Sequence, residues 1–129
     1  MARAEDWEPR VFEVEATNEF LAWYWELGKQ DRDAVAARID LLAERGPNLK
    51  RPAVGEIKSS RFAPRMKELR CGTAAAIRVL FVFDPRRTAI LLLGGSKAAA
   101  WADWYEEAVP VADALYEVYL GELRKEGLL

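Results

Sequence analysis

Apolar and polar residues alternate over Val11 to Glu15 (VFEVE), the period of a strand with one face buried. The period then lengthens. Phe20, Trp23, Tyr24 and Leu27 recur at helical spacing, as do Val35, Ile39 and Leu42. Thr17 or Asn18 can cap the first of these helices, and Gly28 ends it. Asp31 begins the second, which Gly46-Pro47 stops, so the pair reads as a helix hairpin. Pro47 to Pro64 has no clear period and reads as a long surface loop. Period two returns in Met66 to Cys71 (MKELRC) and more strongly in Ile77 to Phe83 (IRVLFVF). Asp84-Pro85-Arg86-Arg87 makes a turn into Thr88 to Leu93 (TAILLL), a strand apolar enough to be covered on both faces, ended by Gly94-Gly95. Ala98 to Glu107 is helical, and Pro110 either starts a further helix or kinks a long one. The predicted order is β-α-α-β-β-β-α, one α+β domain over residues 1–129: a mainly antiparallel sheet with helices packed on it.

Composition narrows the chemistry. The 129 residues are 51% hydrophobic and 31% charged, the balance of a chain that builds a core. No apolar run, Ala89 to Leu93 included, exceeds strand length, and the first residues hold no apolar signal core. The expectation is therefore a cytoplasmic protein without a membrane partner. Cys71 is the one cysteine, which rules out an internal disulfide. There is no histidine, so Ser-His-Asp and Cys-His catalysis are excluded and a zinc site is disfavoured. Acid–base work would fall to Lys, Arg, Tyr, Asp or Glu.

The net charge of −2 conceals a strong asymmetry. Residues 47–97 hold 11 basic and 3 acidic side chains, between flanks that are each acidic. Phosphate is one partner for such a segment; the alternative is neutralisation by the acidic helices within the fold.

Spacing brings particular cations together. If the turn after Cys71 centres near Ala74, Arg70 and Arg78 oppose each other on one face of the sheet. Like charges so placed repel, and an anion between them would remove the penalty. The alternative is that each pairs with an acid, Glu68 being nearest in sequence. The strand Thr88–Leu93 returns toward the same edge, so Gly94-Gly95-Ser96-Lys97 would deliver Lys97 beside both arginines, with glycines permitting close approach. Tyr105 follows on the helix leaving that edge, and can stack on a base, move a proton, or pack with Trp101 and Trp104.

Five stretches carry a family resemblance: Leu42 to Pro47 (LLAERGP), Lys67 to Arg70 (KELR), Ile77 to Phe81 (IRVLF), Ile90 to Lys97 (ILLLGGSK) and Trp104 to Ala108 (WYEEA). In this order and spacing they resemble the RelE/ParE toxin superfamily, most closely its phage-derived HigB-like branch. The resemblance spans nearly the whole chain. It implies a RelE-like fold, with an N-terminal strand and helix hairpin packed on a small antiparallel sheet and a C-terminal helix. It implies a toxin of a type II toxin–antitoxin system, partnered by a cognate antitoxin. RelE-like members are metal-independent endoribonucleases without a cofactor, cleaving mRNA on the ribosome by attack of a 2′-hydroxyl on the adjacent phosphate. On that pattern Arg70 would stabilise the phosphorane, Arg78 would support the phosphate, Lys97 would add a basic group, and Tyr105 would orient or deprotonate the nucleophile. Lys58, Arg61, Arg65 and Lys67 would contact the RNA. The superfamily also contains gyrase-directed, non-catalytic members of ParE type, and a regulatory relative without activity is a further alternative.

Overall fold

The computed structural model describes residues 11–96 and 100–129. Among them, five strands form one sheet and three long helices cover it. In chain order these are β1 (Val14–Ala16), α1 (Asn18–Glu26), α2 (Lys29–Arg45), β2 (Val54–Glu56), β3 (Met66–Cys71), β4 (Ile77–Phe83), β5 (Ala89–Ser96) and α3 (Trp101–Lys125). The sheet order is β1-β5-β4-β3-β2; β1 runs parallel to β5 and every other pair is antiparallel.

The period-two pattern sorts side chains between two cores. Leu69, Val79, Phe81 and Leu91 face one side and pack with Phe20, Val35 and Leu42 of the hairpin. Met66, Leu80, Val82, Ile90 and Leu92 face the other and pack with Val109, Ala112 and Tyr116 of α3. Each fully buried side chain of this size contributes roughly 1.5–3 kcal/mol. Thr17 joins the hairpin to the sheet: its hydroxyl accepts from the Phe20 amide at 3.0 Å and donates to the Leu92 carbonyl at 2.7 Å. Leu92 is the extra residue of a β-bulge, since Leu80 pairs with Leu93 and Phe81 with Leu91.

Four local expectations change. The first strand begins at Val14 rather than Val11, because β5 offers partners only from Ala89, and Phe12 instead donates its amide to the Ala43 carbonyl at 2.7 Å. The predicted loop 47–64 contains β2, a three-residue edge strand made by pairing with β3 and carrying no periodic signal of its own. Gly94-Gly95 do not end β5; the strand runs to Ser96. A Cβ at Gly94 would lie 2.3 Å from the Trp23 ring, and one at Gly95 would lie 2.4 Å from the Trp104 ring. The glycines are what lets two indoles press on opposite faces of one strand. Finally, α3 passes through Pro110 as one helix that begins at Trp101. Pro110 is exposed, as is Glu106 one turn earlier, so water can take the unpaired carbonyl.

Candidate active site

Arg70 of β3 pairs directly with Arg78 of β4, as the sequence spacing predicts. With Glu68, both lie on the face covered by α3. Glu68 is almost fully enclosed, its side chain 3% exposed. Its Oε1 lies 3.7 Å from Arg70 Nε and 3.6 Å from Arg78 Nη1, close enough for ion pairing but too long for hydrogen bonds. The Nε of Arg70 is buried and has no hydrogen-bond partner. The remainder of that guanidinium spreads over β2, where a Cβ on Gly55 would come within 2.8 Å of Nη2. A glycine in this edge strand therefore makes room for the arginine.

Tyr105 reaches this cluster from the first turns of α3. Its hydroxyl donates to the Glu68 carboxylate, 2.5 Å from Oε1 and 2.7 Å from Oε2. The same oxygen accepts from Arg78 Nη1. The Arg78 guanidinium also lies 4.4 Å from the Trp101 ring centroid and 5.7 Å from that of Tyr105, both cation–π distances. Burial, with the Glu68 hydrogen bond adding to it, pushes the Tyr105 phenol up to about 12, against the opposing pull of Arg78. At neutral pH the phenol keeps its proton and serves as a donor.

These groups floor an open cleft of about 460 Å³, lined by Glu56, Ile57, Lys58, Ser59, Glu68, Arg70, Arg78 and Tyr105. One wall is the segment 56–59, which runs on into Ser60 and Arg61, tied to α3 by Asp113. That buried carboxylate accepts from Ser60 Oγ at 2.5 Å and from the Arg61 amide at 3.1 Å.

Arg70, Arg78, Tyr105 and Lys58 thus share one cleft. Three other cations do not line it. Arg61 pairs with Glu117 on α3 and lies over Phe62. Arg65 is exposed on the segment before β3. Lys67 points to the opposite face of the sheet, since it neighbours Glu68 in a strand; there it lies 3.9 Å from Glu56 and edges a groove floored by Phe81 and Phe83. Lys97 lies outside the described residues. Ser96, just before it, pairs with Ile77, so β5 exits beside Arg78. Sequence reasoning treated Glu68 only as a possible arginine partner and gave Asp113 no role. Glu68 was detectable as an acid between Met66 and Arg70 on one strand face; Asp113, on an amphipathic helix, gave no comparable signal.

A family model for phage-derived Gp49-like proteins matches residues 22–117. The chain belongs to the Gp49-like family. Within that family it is similar to HigB3 of Mycobacterium tuberculosis, a protein named as a toxin. The two are 48% identical over 99 residues, covering 76% of this chain and 84% of HigB3. This places the Gp49-like chain among the HigB-like proteins. The fold is that of E. coli RelE, solved as the isolated toxin, with a TM-score of 0.56 at 14% identity over 77% of this chain and 96% of RelE. It is also that of the M. tuberculosis toxin–antitoxin complex RelBE2, with a TM-score of 0.52 at 17% identity over 67% of this chain and 98% of the matched one. Among the described residues, no helix is long and apolar enough to cross a membrane, and no three Cys, Asp or Glu side chains group as a metal site.

Proposed function

We propose that this chain is the toxin of a type II toxin–antitoxin pair, and that it cleaves mRNA on the ribosome by attack of a ribose 2′-hydroxyl on the adjacent phosphate. The first part is supported by its likeness to HigB3 and by the toxin–antitoxin complex solved for a protein of the same fold. A cognate antitoxin is accordingly its protein partner, and the cytoplasm, where translation occurs, its place of action.

The single observation that carries the cleavage reading is the pairing of Arg70 with Arg78 in one open cleft, where the Arg70 side chain is 32% exposed. Two guanidinium groups side by side in an open cleft, with one carboxylate between them, keep net positive charge and form a site for an anionic oxygen. A pentacoordinate phosphorane carries more charge on its oxygens than the phosphate it comes from. Fixed guanidinium groups therefore stabilise the transition state more than the bound substrate. Arg70 makes this contact in the proposal. Arg78 adds charge and holds Tyr105, which orients the 2′-hydroxyl. Lys58 on the rim meets a flanking phosphate, and Lys97, following Ser96 at the exit of β5, supplies a further cation. Arg61, Arg65 and Lys67 add long-range attraction rather than contact. No step is assigned to a metal or cofactor.

Primer extension on mRNA from cells induced for the toxin tests the reading. Codon-linked 5′ ends should appear with the wild type and vanish with Arg70→Ala. Growth arrest with intact mRNA and inhibited gyrase supercoiling would replace it with the ParE-type reading.

A further inference from the structure

We propose that Glu68 is the terminal proton acceptor of the cleavage site, acting through Tyr105, which relays the proton of the 2′-hydroxyl. The inference rests on the RNA-cleavage reading and assigns the base that reading leaves unnamed.

Geometry selects this residue. A carboxylate present only to neutralise Arg70 and Arg78 would hydrogen-bond to them. Here both guanidinium contacts exceed 3.5 Å, whereas the Tyr105 hydroxyl sits 2.5 and 2.7 Å from the two carboxylate oxygens. Glu68 lies too deep to meet a ribose itself, at 3% exposure. Tyr105 lines the same cleft, is more exposed than Glu68, and holds both carboxylate oxygens through its hydroxyl. On its own the phenol is a poor base, since it already carries its proton at neutral pH. It becomes an effective one if that proton leaves for Glu68 as another arrives. Arg78, donating to the phenol oxygen, stabilises the negative charge that develops there in transit. The charged and titratable groups around Glu68 are Arg70 from β3, Arg78 from β4 and Tyr105 from α3, with Glu56 and Lys58 on the cleft wall.

The step balances as follows. The 2′-O–H bond breaks and its electron pair forms the 2′-O–P bond. Its proton goes to the Tyr105 oxygen, and the Tyr105 proton goes to Glu68. The P–O5′ bond breaks and the 5′ oxygen takes a proton from water in the open cleft. The hydroxide so formed recovers the proton from Glu68 by the reverse path. The RNA is isomerised to a 2′,3′-cyclic phosphate and a 5′-hydroxyl, with no oxidant or net water consumed.

Single-turnover and steady-state cleavage of ribosome-bound mRNA tests this with the wild type, Glu68→Gln, Glu68→Asp, Tyr105→Phe and the Glu68→Gln/Tyr105→Phe double variant. Each of Glu68→Gln and Tyr105→Phe should lower kcat by about 10²–10⁴-fold with KM unchanged. The double variant should be no slower than the slower single, and Glu68→Asp should recover part of the rate. In NMR titrations of Tyr Cζ, burial should keep the Tyr105 midpoint raised in Glu68→Gln, but below the wild-type midpoint by the share that the Glu68 hydrogen bond and charge supply. Wild-type kcat in Glu68→Gln, or losses that multiply in the double variant, would overturn the relay while leaving the nuclease reading intact. If Glu68→Gln does not fold, Glu68→Asp carries the test, and an unchanged kcat there overturns the relay. A wild type that cleaves no mRNA overturns both.

Discussion

Arg70 and Arg78 face each other across two antiparallel strands, yet they are held differently. Arg78 is 18% exposed, stacked on Trp101 and bonded to Tyr105; Arg70 is 32% exposed, its buried Nε 3.7 Å from Glu68 and without a hydrogen bond. Both line the cleft, but Arg78 is the more firmly held and Arg70 the more exposed.

That asymmetry predicts divergent variants. Arg70→Ala should lower kcat about 10²-fold and cost about 1 kcal/mol of stability or less, since Glu68 keeps Arg78 and its bond from Tyr105. Arg78→Ala should lose activity and also about 1–3 kcal/mol of stability, because Tyr105 and Glu68 lose a buried partner. Equilibrium unfolding of both variants, set beside their cleavage rates, checks the split.

The glycine pair in β5 predicts a packing defect. Gly95→Ala places a methyl against the Trp104 ring, and Gly94→Ala one against Trp23. Each should destabilise by about 1–3 kcal/mol. Combining Gly95→Ala with Trp104→Leu should recover part of its loss, which a double-mutant cycle in urea measures.

Asp113 predicts a link between α3 and the cleft wall. Asp113→Ala leaves Ser60 Oγ and the Arg61 amide without their acceptor, a cost of about 1–3 kcal/mol. Because the freed segment carries Lys58 and not Arg70 or Tyr105, KM should rise more than kcat falls. Steady-state kinetics on ribosome-bound mRNA separates the two.

Much of this organisation is legible in the sequence because period-two strands dictate which side chains share a face. The β3 and β4 alternation puts Arg70 opposite Arg78, and the order of the resembling stretches anticipates the fold. The less legible parts depend on tertiary contacts. Val54-Gly55-Glu56 is a strand only because β3 lies beside it, and Gly94-Gly95 read as a stop because the indoles they accommodate come from remote helices. Glu68 is inward-facing by pattern, but its bond to Tyr105 spans 37 residues and no local signal announces it.

Alkaline pH should destabilise the fold. Burial raises Cys71 from 9.0 to about 12, and burial with the Glu68 bond raises Tyr105 from 10.0 to about 12. Below pH 9 both groups are protonated folded or unfolded, and their contribution to stability is full. Between pH 9 and 12 the unfolded chain releases protons that the folded chain retains, so stability falls as pH rises. Denaturation across that range should show the decline, and Cys71→Ala and Tyr105→Phe should each flatten it.

The most direct measurement uses ribosomes programmed with two mRNAs that differ only in the ribose 2′ substituent at the scissile position. The account predicts that the hydroxyl-bearing message is cut to a 2′,3′-cyclic phosphate and a 5′-hydroxyl, that the 2′-deoxy message stays intact, and that Arg70→Ala slows the cut about 10²-fold. Equal cleavage of both messages, or a rate indifferent to Arg70, would contradict it.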